Sequence, residues 1–200
     1  MKINKYLILA FIFFAITNLT AEEELPRPFC VNTFRPPENP ASGKVEISFN
    51  YVKQSGFSSN QFAVWIEDSS GRYIKTIYVT RFTAKGGWEY RPNAIPVWVK
   101  TAHVSGMSEK QVDAVTGPTP SGGGLVYVWD CKDCSGNPIA AGEYRYIVEA
   151  TLRKEYRVMF TGIIKIGGQA QESRAKAEYT AGDKSEREMI TGVAAKYSPL

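Results

Sequence analysis

Apolar and polar residues alternate along most of the chain after residue 43. In GKVEISFNYVK every second residue from Val45 to Tyr51 is apolar, and this period of two predicts a half-buried strand. The same pattern predicts strands at QFAVWIED, RYIKTIYVTRF, GLVYVWD, EYRYIVEATLR, RVMFTGIIKIG, RAKAEYT and MITGVAAKY. Turn residues recur at intervals of about ten residues, and short strands at this spacing are typical of an antiparallel sandwich. The sequence therefore predicts an all-β sandwich.

Two connections carry specific local signals. The stretch DSSG at residues 68–71 has the Asp and Gly of a tight reversal, which predicts a hairpin between its flanking strands. The stretch SEKQVDAV predicts a short helix, with Ser108 as the N-cap and Gln111 completing a capping box. Between them, the irregular Trp- and Pro-rich stretch WEYRPNAIPVWVKTAHVSG predicts a packed loop or short helix covering one end of the sheet.

The N-terminal residues differ in composition from the rest. Lys2 and Lys5 precede an apolar run at residues 6–19, followed by Thr20, Ala21 and three glutamates. Because a bilayer span needs about 20 apolar residues, the run fits a secretory signal better than a retained anchor. The predicted organisation is a signal peptide at residues 1–21, a proline-rich arm at residues 22–42 and a single sandwich domain at residues 43–200.

Charge and export limit the class of partner. Cleavage after Ala21 removes two lysines and lowers the formal charge from +4 to +2. A nucleic-acid partner requires a clustered basic face, so we expect none. We expect a periplasmic or otherwise extracytoplasmic protein, with no membrane insertion after signal cleavage. In that compartment disulfides persist.

Two parts of the chain resemble known families. The stretch VWDCKDCSGNPIAAGEYRYIVEA resembles a hairpin of the Ig-like module in the flagellar hook-capping protein. The residues that carry this likeness are Trp129, Asp130, Asp133, Gly136, Pro138, Gly142 and Tyr144. Together with AVWIEDSSGRYIKTIYV and DAVTGPTP, residues 44–197 resemble predicted periplasmic proteins catalogued as domain of unknown function 2271. That resemblance implies an exported Ig-like antiparallel β-sandwich whose activity is unassigned.

The stretch DAVTGPT at residues 113–119 is similar to a flavin-attachment motif. Exported flavin-transfer enzymes join FMN through a phosphoester to the last threonine of Asp-x-x-Thr/Ser-Gly-Ala-Thr. The resemblance implies that Thr119 is the acceptor and that Asp113 positions or activates it. Gly117, which follows Thr116 in the motif, would let the backbone approach the phosphate. Pro118 stands where the motif has alanine, and a helix end followed by a Gly-Pro turn is the alternative interpretation.

The three cysteines leave several arrangements open. Cys131 and Cys134 form a Cys-x-x-Cys between two strands, without the helix N-terminus that activates a thiol. We predict a disulfide between them that staples the hairpin, and Cys30 is left unassigned. A zinc site made of Cys30, His103, Cys131 and Cys134 is the weaker alternative, since these residues come from three distant places. We therefore assign no metal.

Sequence signals of common enzyme classes are missing. There is no Gly-x-Ser-x-Gly elbow, and His103 is the only histidine. The glycine triplet at residues 122–124 lacks the Lys-Ser/Thr of a phosphate loop. Trp88 and Trp98 either line a groove or pack in the core. We expect a non-catalytic interaction or assembly module that binds another envelope protein. The alternative is an electron-transfer protein that carries FMN on Thr119.

Overall fold

The computed structural model describes residues 36–55, 60–153, 156–180 and 189–200. Their strands are β1 (Lys44–Tyr51), β2 (Gln61–Asp68), β3 (Tyr73–Thr80), β4 (Thr116–Gly117), β5 (Gly123–Trp129), β6 (Gly142–Arg153), β7 (Tyr156–Ile166), β8 (Gln171–Arg174), β9 (Lys176–Tyr179) and β10 (Ile190–Ser198). Three short helices, α1 (Trp88–Tyr90), α2 (Pro96–Thr101) and α3 (Glu109–Val115), accompany a π-helical turn at Thr83–Gly87 and a 3-10 turn at Val104–Gly106.

The strands form two sheets that pack face to face. The four-stranded sheet has the order β5-β1-β10-β8, and the six-stranded sheet has the order β4-β3-β2-β6-β7-β9. Every pairing is antiparallel except the two-residue contact of β4 with β3. Alternate residues of β1, from Val45 to Tyr51, are buried between the sheets, as their period of two predicts. The predicted all-β sandwich is confirmed.

A helical layer covers the outer face of the six-stranded sheet. Strand β2 contacts this layer on one side and the sandwich core on the other, so seven of its eight residues are buried. A second apolar cluster joins Ala63, Trp65 and Ile147 of the sheet to Ile95 and Trp98 of the layer. The expectation that this irregular stretch covers one end of the sheet is therefore wrong. The apolar residues of this stretch pack against the outward-facing apolar residues of β2 and β6. Because this contact buries both sets, the stretch lies on the outer face of the sheet and not at its end.

Polar groups of β6 hold the helical layer in place. The buried carboxylate of Glu149 accepts hydrogen bonds from the backbone N–H groups of Trp98, at 2.8 Å, and Val97, at 3.2 Å. The hydroxyl of Thr151 accepts the N–H of Ile95 at 2.7 Å. These bonds satisfy donors at the start of α2, which lack partners within the helix.

Both predicted local signals are confirmed. Ser108 caps α3, and its reciprocal bonds with Gln111 form the capping box. In the β2–β3 hairpin the side chain of Asp68 accepts the backbone N–H of Arg72 at 2.9 Å. Gly71 adopts a φ of +84°, which a side chain would disfavour.

The described part of the proline-rich arm lies along the loop between β5 and β6. The N–H of Ala41 donates to the carbonyl of Ile139, and that of Ala141 donates to the carbonyl of Asn39, both at 2.8 Å. The predicted signal peptide at residues 1–21, residues 22–35 of the arm and the predicted turn at Lys154 lie outside the described residues. No helix within the described ranges has the length and apolarity needed to cross a membrane.

Candidate functional site

The segment from Asp113 to Thr119 lies at the edge of the six-stranded sheet. Asp113 is exposed near the end of α3, and its carboxylate forms an ion pair with Lys85, with 2.5 Å between Nζ and Oδ1. Thr116 and Gly117 form the short strand β4 beside β3, and Thr119 is half-buried in the loop that leads to β5. The helix end of the alternative interpretation is present, but the two-residue strand β4 follows it in place of a Gly-Pro turn.

The glycine of the motif is explained by packing. A Cβ at Gly117 would lie 2.7 Å from Cε2 of Tyr78, which is closer than real side chains approach. The hydroxyl of Tyr78 also donates to the carbonyl of Pro118 at 2.7 Å. A glycine is therefore needed here to admit the tyrosine ring, whether or not a phosphate binds.

Tyr78 belongs to an aromatic cluster that bridges the two sheets. Its ring centroid lies 4.5 Å from that of Tyr127 on β5 and 5.1 Å from that of Phe62 on β2. The pKa values of the Tyr78 and Tyr127 phenols are raised, mainly by burial. Both side chains therefore stay neutral near pH 7, and the cluster acts as packing between β3 and β5.

Asp113 is poorly suited to activate a hydroxyl. The hydrogen bond from Lys85 lowers the pKa of its carboxyl group, and the charge of Arg81 acts in the same direction. A carboxylate with a lowered pKa is a weaker base. Within the described ranges no hydrogen bond joins Asp113 to Thr119, so a positioning role for Asp113 stays a prediction.

The loop between β5 and β6 is held by its own hydrogen bonds. One carboxylate oxygen of Asp133 accepts the backbone N–H groups of Ser135 and Asn137, both at 2.8 Å. Gly136 has a φ of +84°, and Lys132 and Pro138 form an isolated bridge across the loop. Asp133, Gly136 and Pro138 of the hairpin motif thus have structural roles as turn-formers.

Aromatic residues fasten this loop to the core. The indole N–H of Trp129 donates to the carbonyl of Lys132, and the hydroxyl of Tyr144 donates to the carbonyl of Ala140, both at 2.9 Å. The two rings meet edge to face with centroids 5.4 Å apart. Trp129 and Tyr144 of the motif therefore also serve the packing of the hairpin.

The predicted disulfide between Cys131 and Cys134 is wrong. Cys131 is a free thiol, whereas Cys134 is disulfide-bonded. Cys131 has a left-handed backbone, with φ of +53°, and its side chain packs in the core between the sheets. Cys134 lies three residues further on, in a half-buried turn. The third cysteine of the chain, Cys30, lies outside the described residues.

The other candidate side chains are not gathered into one site. The described ranges contain no cluster of three or more His, Cys, Asp or Glu side chains suited to a metal ion. His103 is exposed at the start of the 3-10 turn, and the weaker zinc alternative also includes Cys30, so it is not tested. Trp98 is fully buried and its indole N–H donates to Thr76 at 2.9 Å, so it lines no groove. Trp88 is half-buried against the second apolar cluster.

The sheet edges differ in their charge. Edge strand β8 carries Glu172 and Arg174, edge strand β9 carries Lys176 and Glu178, and β4 has only two residues. Edge strand β5, with the sequence GGLVYVW, has no charge at all. The sequence identifies β5 as a strand, but its edge position follows from pairings that alternation does not specify.

Strand β5 also exposes apolar side chains. Val126 and Val128 are 59% and 51% exposed and lie on the outer face of the four-stranded sheet. Beside Val126 that face has a groove of about 490 Å³, whose lining includes Ser48, Ala194, Glu46 and Lys196. Within the described part of the chain no strand pairs with the outer edge of β5. This edge is the candidate interaction site.

The fold and this edge define a two-sheet β-sandwich protein with one added helical layer. The model of family DUF2271, described as predicted periplasmic protein, matches residues 42–183, and the chain belongs to that family. The protein is therefore periplasmic, as predicted from its sequence. The resemblance to the hook-capping module is not confirmed. Neither the curated proteins nor the solved structures contain a match to this chain.

Proposed function

We propose that this periplasmic protein is a non-catalytic interaction module that binds another envelope protein chain through the edge of β5. The observation that carries this proposal is the seven-residue, uncharged strand at the end of the four-stranded sheet. Natural sheets protect their edges with charge, proline or shortness, because an unprotected edge pairs with other chains. Of the four edges formed by the described strands, three have such protection, and the β5 edge has none.

The chemistry of the edge suits the addition of a strand. Half of the backbone N–H and C=O groups of β5 point away from β1, and an extended segment would bond to them. Val126 and Val128 stand beside these groups and supply apolar contact area. Backbone pairing therefore gives affinity, and the two valines favour an apolar residue at alternate positions of the partner.

The buried ionisable groups have structural explanations, which supports a role without catalysis. Glu149 binds the start of α2, and Cys131 packs in the core. The pKa of the Glu149 carboxyl and the pKa of the Cys131 thiol are both raised mainly by burial. Neither group requires a substrate to explain its position.

Crosslinking in the native cell tests the proposal. We would replace Val126 with a photo-crosslinking residue and use Ile163 as the matched site, since Ile163 is 57% exposed on β7, an interior strand. We expect a discrete crosslinked product from position 126 and none from position 163. Equal labelling at both positions, or none at position 126, would overturn the proposal.

Attachment of FMN to Thr119 is the second candidate function. Lys85 and Arg81 place positive charge around Asp113 in the same segment, and this supports a phosphoester nearby. Thr119 is also partly accessible to a transfer enzyme. When bound, FMN would supply electron-transfer chemistry, and the chain would supply the hydroxyl of Thr119.

The intact mass of mature protein from the native envelope tests the flavin candidate. We expect an increase of one FMN less one water, lost in Thr119→Ala and kept in Thr191→Ala, which changes an exposed threonine on β10. A mass without this increase in the native protein would reject the candidate. It would leave the interaction function untouched.

A further inference from the structure

We propose that the chain bound by β5 is β5 of a second copy, so that two four-stranded sheets join into one eight-stranded sheet across a twofold axis. This inference rests on the proposed interaction function and names its partner. Twofold dimers are the commonest oligomers, and their interface must be complementary to itself. A twofold dimer through β5 therefore requires that this strand be complementary to its own copy.

The valines of β5 fit each other in antiparallel pairing. With the axis at Tyr127, Val126 faces Val128 of the second copy, and this contact occurs twice. With the axis at Val126, the two Val126 side chains face each other and Gly124 faces Val128. Directly opposite side chains in an antiparallel pair have Cβ atoms about 4.5–5.5 Å apart, which suits contact between valines.

No like charges meet in either register. Asp130 is the charged residue that directly follows β5, and it forms an ion pair with Lys75 at 2.9 Å. With the axis at Tyr127, Asp130 faces Gly124 of the second copy, which has no side chain to conflict with it. Like charges placed opposite each other would destabilise a sheet, and β5 avoids them.

The charges that follow β5 are balanced within one copy. Asp130 pairs with Lys75, and Lys132 lies between Asp130 and Asp133. At the other end of the strand, Lys53 lies beside Gly122, since its backbone N is 4.0 Å from where a Cβ of Gly122 would be. The contacts between the valines of β5 are therefore what favours self-pairing.

Sedimentation of the mature chain over a wide concentration range is the first test. We expect a concentration-dependent dimer for the wild type and for Ile163→Lys, which alters an equally exposed residue away from the edge. For Val126→Lys we expect the dimer dissociation constant to rise at least roughly tenfold, because each copy loses an apolar contact and gains a charge. A single cooperative thermal unfolding transition of Val126→Lys would show that the monomer is still folded.

Disulfide trapping locates the contact. The axis at Val126 predicts a crosslinked dimer from Val126→Cys alone, and the axis at Tyr127 predicts one from a mixture of Val126→Cys and Val128→Cys chains. Ile163→Cys is the control and should stay uncrosslinked. A wild-type chain that is monomeric at every concentration, with no trapping in either case, overturns the second-copy proposal.

The two proposals fail in distinguishable ways. If the mature chain is monomeric but position 126 still crosslinks in the cell to a different protein, the second-copy inference is wrong and the interaction function stands. If position 126 crosslinks to nothing, both are wrong. A crosslink between two copies at position 126 supports both.

Discussion

Glu149 shows how a single buried carboxyl can make stability depend on pH. Its side chain on β6 is fully buried beneath α2. Burial raises its pKa from 4.5 to about 7, against the opposing effect of the N–H groups of Trp98 and Val97. Because its pKa is higher in the folded state, folding favours the protonated form. The resulting stabilisation is complete below about pH 4.5 and is lost as the pH rises through about 7.

We expect Glu149→Gln to remove this pH dependence. For the wild type, this group alone lowers the free energy of unfolding by up to roughly 1.4 kcal/mol per pH unit within that window. Urea unfolding of both proteins at several pH values measures the difference. Glu172→Gln, which changes an exposed carboxylate, should follow the wild type. Parallel curves for the wild type and Glu149→Gln would contradict the prediction.

Cys131 is a thiol made unreactive by its surroundings. Burial, with a smaller contribution from the charge of Asp130, raises its pKa to about 11. At pH 8 about one molecule in a thousand would then carry the reactive thiolate. We expect iodoacetamide to leave Cys131 unmodified in the folded protein and to modify it after unfolding, as measured by mass spectrometry. Fast labelling of the folded protein would contradict this.

A peptide map of the unreduced protein, also measured by mass spectrometry, tests the disulfide pairing of Cys134. Cys134 is disulfide-bonded and Cys131 is free. We therefore expect the peptide that contains Cys134 to be disulfide-linked to a peptide other than the one that contains Cys131. A disulfide between Cys131 and Cys134 would contradict this expectation and would agree with the pairing predicted from the Cys-x-x-Cys spacing.

At the scale of elements, the pairing of β6 with β7 depends on a glycine. Gly162 lies directly opposite Tyr146, and a Cβ at Gly162 would overlap the tyrosine ring. The hydroxyl of Tyr146 reaches past it to donate to the carbonyl of Ser173 on β8, at 3.1 Å. The ring thus connects the two sheets across the space that the missing side chain leaves.

We expect Gly162→Ala to destabilise the protein by about 1–3 kcal/mol, because the added methyl group displaces a ring packed between two sheets. Gly168→Ala is the matched control, since a Cβ there meets no atom within 4 Å. Its effect should stay within about 0.5 kcal/mol. Thermal unfolding of the two variants tests the prediction, and equal stabilities would contradict it.

In the molecule as a whole, the helical layer covers part of one outer face of the sandwich, and no described element covers the other. The helical layer buries the outer face of the six-stranded sheet around Trp65 and Trp98. The four-stranded sheet leaves Val126 and Val128 exposed at its edge. The open sheet is therefore where another chain would join the fold with least rearrangement, and the dimer proposed above uses this sheet.

Features that depend only on neighbouring residues follow from the amino-acid sequence alone. Alternation specifies the half-buried strand β1, and the local chemistry of Asp68 and Ser108 specifies the hairpin and the capped helix. Each of these signals works within a few residues, where the backbone geometry that a side chain favours is already decided. The same local patterns indicated the all-β class and carried the resemblance to the periplasmic family.

The coverage of faces and edges, by contrast, becomes apparent only in the folded chain. The spacing of Cys131 and Cys134 predicted a disulfide between them, but the side chain of Cys131 packs in the core between the sheets. The resemblance to a flavin-attachment motif implied that Gly117 lets the backbone approach a phosphate. In the structure Gly117 makes room for the ring of Tyr78, which lies 39 residues earlier in the sequence. The open edge of β5 likewise follows from strand order. These outcomes depend on contacts between distant parts of the chain, which a local period of two does not encode.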